Sequence, residues 1–528
     1  MSASRSRFPA RQMAIEARAV LASLALALGA PSALAEGAPL SAIDWLSDTV
    51  ARPVIAPPPS EPPAKPPGEV ETITTVPLSD RNLDAVGILP PSVSGIDRRF
   101  WRASSVGVLA QLIQAENPDP LPALRDLFQL LMLAETDPPA DADGAGAFLL
   151  MRVDKLLAMG ALDAAAALVA AAGAPTPDLF RRDFDIALLL GTEDAACADL
   201  RAAPGIAPTF AARIFCLARG GDWQAAELTL RTAQALGQIP PPEEAMLERF
   251  LAPELFEDAD PLPVPERISP LVLRIHEAIG EPVASTGLPL AFAHGDLTPA
   301  TGWKARLEAG ERLARAGAIA PGELFEIYAE RKPAASGGVW ARVAAVQRFE
   351  TDLATGNAAA LASSLPRVWA ALSEVELEVA FAEIYAPALS RAKLEGEAGQ
   401  LAFRVALLAP GFEVAAIERT PADDTEAFLI GLARGAASAP PPPDGLARAI
   451  ALAFPASNVL PALPAASEEL VKAGRLGEAA LMAIERVTQG ALGDRRGVTE
   501  GLILLRRLGL EAPARKAALQ LLLLERDG

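Results

Sequence analysis

ARGGDWQAA, residues 218–226, decides how this chain is read. Phe210, Ile214 and Leu217 precede the glycines at helical spacing, and Trp223 and Ala226 open a second periodic run. The same G-x-[LW]-x-x-A pattern recurs as Gly160-Leu162-Ala165 and Gly474-Leu476-Ala479. Each occurrence reads as the turn of a helical hairpin. AMGAL (158–162), ARAGAIAPG (314–322) and KAGRLG (472–477) supply further turn signals between helical stretches of 10–18 residues.

Composition agrees. Apolar residues make up 51% of the 528, with aromatics only 5%, and much of the apolar content is Ala. Ala is the best helix former and a poor strand residue, and its small side chain lets helices approach closely. The fold class is therefore all-α, an irregular α-solenoid of helical hairpins. The three turns resemble those of exported tetratricopeptide-like repeat proteins. In that resemblance the Gly makes the turn, the large apolar residue plugs the hairpin and the Ala admits the neighbouring helix. The glycines lie 61 and 253 residues apart, so no fixed period exists. A second echo, Glu326-Ile327-Tyr328-Ala329 and Glu383-Ile384-Tyr385-Ala386, recurs after 57 residues.

The start of the chain reads as a secretory signal peptide, residues 1–35. Arg5, Arg7, Arg11 and Arg18 precede an uncharged run, Ala19 to Ala30, and Ala33-Leu34-Ala35 offers a cleavage site after Ala35. The run is short for a membrane span, which takes roughly 20 residues. A longer uncharged stretch, Ala449 to Ser467, is broken by Pro455, Pro461 and Pro464. We therefore expect a periplasmic protein with no integral span in the mature chain. Net charge is −19, and −22 once four arginines and one glutamate leave with residues 1–35. That balance repels nucleic acid and anionic lipid.

Cys197 and Cys216 flank AAPGIAPT, residues 202–209, and their midpoint falls in this turn. Residues equidistant from a hairpin turn face each other, so an oxidising compartment favours a disulfide over two separate buried thiols.

Residues 36–50 hold a short amphipathic segment. Ser41 and Asp44 fit a capping box, and Ile43, Trp45, Leu46 and Val50 are its candidate partner-binding residues. Residues 51–68, ARPVIAPPPSEPPAKPPG, read as a proline-rich tether spanning roughly 50 Å at about 3.1 Å per residue. The segment is either bait for a partner, a disordered tail, or a helix folded back onto its own body. Residues 69–103 form an extended lead-in that includes VETITTVP (70–77). Three helical segments follow, 104–252, 268–438 and 446–528, separated by proline-rich breaks.

Residues 294–297, His-Gly-Asp-Leu, look like the catalytic loop of aminoglycoside and choline phosphotransferases. There an Asp acts as base and an Asn five residues on binds magnesium; here Asp296 is followed at that spacing by Thr301. No glycine-rich nucleotide loop accompanies it. The stretch reads instead as helix punctuation, with Asp296, Thr298 or Thr301 capping a helix whose buried face is Trp303, Leu307, Gly310 and Leu313. Lys304–Glu308 and Glu311–Arg315 are i,i+4 pairs on its other face. With two histidines, His276 and His294, the chain lacks the ligands for structural zinc. Arg331, Lys332, Ser336, Gly337 and Gly338 precede a helix expected near Val339 and form a possible anion site; the competing reading is a glycine turn that lets Trp340 pack. We expect no catalytic residues, metal or cofactor. The leading expectation is a non-enzymatic periplasmic scaffold that binds an envelope protein. The alternative is a binding protein for an anionic small molecule or cell-wall fragment.

Overall fold

The three glycines of the recurring pattern stop their helices in the same way. In a computed structural model of the chain, Gly160, Gly221 and Gly474 have φ of 72°, 83° and 72°, the left-handed region. The next amide reaches back five residues in each case: Ala161 N to Leu156 O at 2.9 Å, Asp222 N to Leu217 O at 2.9 Å and Arg475 N to Leu470 O at 3.0 Å. This is the Schellman arrangement, which satisfies carbonyls that a helix end leaves open. The following helices start at Leu162, Trp223 and Leu476. Ala165, Ala226 and Ala479 are each wholly buried where the partner helix passes. The plug position is less uniform. Leu162 is buried, but Trp223 is 50% exposed and leans on Phe250 at 6.2 Å.

The structure describes Ile43, Trp45, Leu46 and residues 82–117, 119–173, 176–334, 337–437, 439–441, 444–457 and 459–524. The signal peptide of residues 1–35, the tether 51–68 and the extended stretch 70–77 lie outside them. Among the described residues the fold is all-α. Its β pairing is limited to two isolated bridges, Leu89 with Ala134 and Ala437 with Pro455. Prolines often begin helices here: Pro122, Pro177, Pro241, Pro270 and Pro321 occupy the first turn, where the missing N–H costs nothing. The described part of the lead-in holds a 3-10 turn, Leu83–Ala85, and a short helix, Pro91–Ser94. From that turn the buried Asp84 accepts amides of Phe148 at 2.8 Å and Leu149 at 3.3 Å, capping Ala147–Ala158 from over 60 residues away.

Two hydrophobic cores form. The smaller joins Phe180, Phe184, Ile214, Cys216, Leu230, Leu247, Leu271 and Ile275. The larger takes in most of the remaining helices. Helix Pro177–Leu190 serves both: Leu179, Ile186 and Leu189 face the larger core, and Phe180, Phe184 and Leu188 the smaller. Pro270–Ala278 does likewise with Leu273 on one side and Leu271 and Ile275 on the other. Apolar residues all round a helix fit a position between two cores. Packing runs across both proline-rich breaks, since Leu247 meets the core of Leu271, and Ala437 N donates to Phe454 O at 2.9 Å.

Consecutive helices pack as hairpins along the chain, and the last helices also pack against the first. Glu511–Leu523 lies on Pro122–Leu133, and Leu476–Ala491 on Val106–Ala115. Ala123 N donates to Gln520 Oε1 at 2.7 Å across 397 residues of sequence. Gly477 N donates to Phe100 O at 3.0 Å, which sets the buried Trp101 ring against Gly477. A Cβ at Gly477 would fall 2.1 Å from that ring.

Candidate functional site

The His-Gly-Asp-Leu stretch is structural. Leu290–Leu297 forms 3-10 turns ahead of helix Trp303–Arg315. His294 is 6% exposed, and its Nε2–H donates to Gly160 O at 2.8 Å, tying this stretch to a hairpin turn. Burial lowers its pKa, opposed by the Gly160 carbonyl and by Asp163. Asp296 accepts the Ser285 hydroxyl. The expected cap is corrected: Gly302 holds the N-cap position of Trp303–Arg315, and Thr298 and Thr301 pair their hydroxyls at 3.1 Å instead. The buried face of Trp303, Leu307, Gly310 and Leu313 stands, as does Lys304–Glu308 at 3.4 Å. Glu311–Arg315 does not form. Glu311 is buried, takes Arg342 in two hydrogen bonds of 2.8 and 2.5 Å, and accepts Tyr328 Oη at 2.6 Å. Burial, then Glu311, raises the Tyr328 pKa well above its ordinary value.

The Tyr echo has a packing explanation. Phe325 lies 5.9 Å from Tyr328 and 5.0 Å from Tyr385, so the two similar stretches meet in one aromatic cluster with Phe349 and Phe381.

Other perturbed groups also have structural partners. Burial and the Glu485 charge push the Glu116 carboxyl up to about 8, and burial brings Lys155 down to about 8. Lys155 Nζ donates to Glu116 O at 2.6 Å, at the C-terminal cap of Val106–Ala115. Among the described residues no group of three His, Cys, Asp or Glu side chains is placed to hold a metal ion. Nor is any helix long and apolar enough to cross a membrane.

Cys197 and Cys216 are bonded across Glu193–Ala202 and Phe210–Arg219, with Cα atoms 5.0 Å apart. Both are buried in the smaller core. In the possible anion site, Arg331 and Lys332 are exposed, Ser336 lies outside the described residues, and Gly337 and Gly338 have φ of 87° and 50°. The helix begins at Gly338, and Trp340 packs on Trp303 at 5.0 Å.

The described members of the remaining candidate set, Ile43, Trp45 and Leu46, pack on the larger core. Leu46 is 2% exposed and belongs to the larger core; Ile43 packs against it. The Trp45 ring meets Phe292 edge-on at 5.3 Å. Val50 lies outside the described residues. Trp45 and Leu46 border a cleft of about 240 Å³ whose far wall includes Pro240, Pro242, Met246, Leu271 and Val272. Three helices start beside it. Thr209 caps Phe210–Arg219 by accepting Ala212 N at 3.0 Å. Pro240 stands at the N-cap of Pro241–Leu251, and Ser269 caps Pro270–Ala278 by accepting Val272 N at 3.3 Å. Helix N-termini carry positive potential. The wall residues were not singled out in the sequence. The available signal was the three prolines Pro240-Pro241-Pro242 and the Ser269-Pro270 cap, which mark two helix starts but not their convergence. No protein-family model, curated protein or solved structure matches the chain.

Proposed function

We propose that the chain is a non-enzymatic scaffold, exported to the periplasm, that holds an envelope protein. Its frame is a set of divergent, tetratricopeptide-like hairpins. The observation that carries this reading is the Trp45-Leu46 segment, an aromatic and aliphatic anchor separated from Asn82 by 35 residues. Such anchors recur as interaction hot spots. The buried disulfide is compatible with an oxidising compartment. The test is a crosslinking pull-down from intact periplasm with the wild-type chain and with Trp45→Ala/Leu46→Ala. A reproducible partner lost only with the substituted chain supports the segment as the binding end. A partner held equally by both moves the function to the helical body. Finding no reproducible partner overturns the reading.

A second reading rests on the exposed Arg331 and Lys332 ahead of Gly337 and Gly338, where the helix starts without a side-chain cap. It takes the chain as a binder of an anionic small molecule or cell-wall fragment. A rise in melting temperature with a carboxylate-bearing muropeptide, abolished by Arg331→Ala, would establish it.

A further inference from the structure

We infer that a second cleft, on the helical body, binds an extended basic segment of the partner protein. The inference rests on the scaffold reading and adds the chemistry of what the body holds.

Three features read separately in the sequence converge on this cleft. One side follows the turn at Gly160, another is the turn ARAGAIAPG (314–322), and a third is the second Glu-Ile-Tyr-Ala stretch, entered through Glu383. Helix Pro122–Leu133 forms the fourth side with Arg125 and Gln129, an i,i+4 pair. The cleft has a volume of about 470 Å³, within the range of ligand sites.

The fourth side points to a ligand. Arg125 is 6% exposed and its Nε–H has no acceptor; Gln129 Nε2, also shut off from water, has none either. The other Arg125 nitrogens are engaged, Nη1 by Arg315 O at 2.7 Å and Nη2 by Asp126 at 3.1 Å. A buried donor without an acceptor is costly. Two such donors on one helix face, both lining a cleft, call for carbonyl oxygens, and a peptide backbone carries one at every residue. Gln129 is half-buried, and its amide can turn about a flexible stem to meet one.

Charge selects the side chains. Asp163 and Glu323 on the rim stand in the first turns of Leu162–Ala172 and Pro321–Ala329, where backbone amides offset part of their charge. Glu383 sits within Glu378–Ala392 without that offset. Burial, then Asp126, raises its pKa, opposed by Lys516 and Arg125, so the largest charge effect on it is that of another carboxylate. A lysine or arginine head relieves this repulsion, and its aliphatic stem lies along Ala318, Ile319 and Val379. A compact metal ion fits less well, since among the described residues no three acidic, His or Cys side chains converge to hold one.

The probe is a fluorescently labelled Lys-Ala-Lys-Ala-Lys peptide amide, titrated with the full chain and followed by anisotropy. Gln129→Leu removes one unmet donor at similar volume. It should weaken the peptide about 10-fold, the loss of one hydrogen bond in a closed site, while the melting temperature holds or rises. Glu383→Gln should weaken it about 5-fold and flatten its salt dependence. Glu257→Gln/Asp258→Asn, at exposed positions outside the cleft, controls for net charge and should change binding less than about 2-fold. Spermidine, which carries similar charge without carbonyl groups, should bind more weakly than the peptide. No binding by wild type, binding unchanged by both cleft variants, equal weakening by the control, or equal affinity for spermidine overturns the inference. A lower melting temperature for Gln129→Leu assigns its amide to the fold and overturns it as well. No periplasmic protein enters this assay, so a peptide that fails here and a partner that fails in the pull-down are separate results.

Discussion

Gly477 carries more of the fold than its size suggests. It is the second residue of Leu476–Ala491, and the buried Trp101 ring occupies the space a side chain would need. Neither ring nor helix has room to retreat, because Gly477 N is bonded to Phe100 O. Gly477→Ala should cost about 3 kcal/mol by overpacking, read as a lower denaturant midpoint with unchanged slope. His294 supplies a pH dependence at the same scale. Its pKa is lowered in the folded chain, so the unfolded chain binds the proton more tightly. The stabilising contribution is whole above about pH 6.5 and is lost as pH falls through the lowered folded value. Wild type should therefore lose more stability between pH 7 and pH 5 than His294→Gln, measured by urea titration at both values. At this scale the sequence was only partly readable. Gly160, Gly221 and Gly474 act through bonds within their own turn, and local pattern exposes them. His294 acts on Gly160 from 134 residues away, and nothing beside it in sequence names that partner.

Among elements, the hairpin Glu193–Ala202 and Phe210–Arg219 shows where symmetry about a turn is informative. The cysteines lie about equally far from the connection at residues 203–209, and the helices bring them together. Closing this loop stabilises by roughly 3 kcal/mol, so Cys197→Ala/Cys216→Ala should lower the unfolding free energy by that amount, read from a denaturant titration. With both sulfurs buried, wild type should resist reductant until denaturant opens the smaller core, which thiol labelling would report. Helix capping was less legible. Asp296, Thr298 and Thr301 all suit a cap, yet Gly302 takes the position because Asp296 is engaged by Ser285 and the threonines by each other. Ala147–Ala158 shows the opposite: Gly146 stands at its N-cap with no side chain, and Asp84 caps it from a distant turn. Residue type reports capping ability, whereas tertiary contacts choose among the able.

For the whole molecule, the two cores divide where two helices carry apolar residues on opposite faces, not at the proline-rich stretches. Pro241 and Pro270, on either side of one proline-rich stretch, begin helices that pack in the same core. The cleft beside Trp45 and Leu46 was invisible because its sides come from residues 45–46 and 209–272, and no window of sequence contains both. The join between the last and first helices is a further large-scale feature. Gln520→Ala leaves the buried Ala123 amide without its acceptor and should cost about 1–3 kcal/mol, measured as a shift in denaturant midpoint. That join also sets a timetable for biogenesis. Helix Pro122–Leu133 waits for a surface that is synthesised much later, Gln520 following Ala123 by 397 residues. Until Glu511–Leu523 emerges, Leu124, Leu127 and their neighbours lack part of their cover, and such long-range pairing is slow to form. Through that interval the helix stands half-dressed, its apolar face open to proteases and to wrong partners.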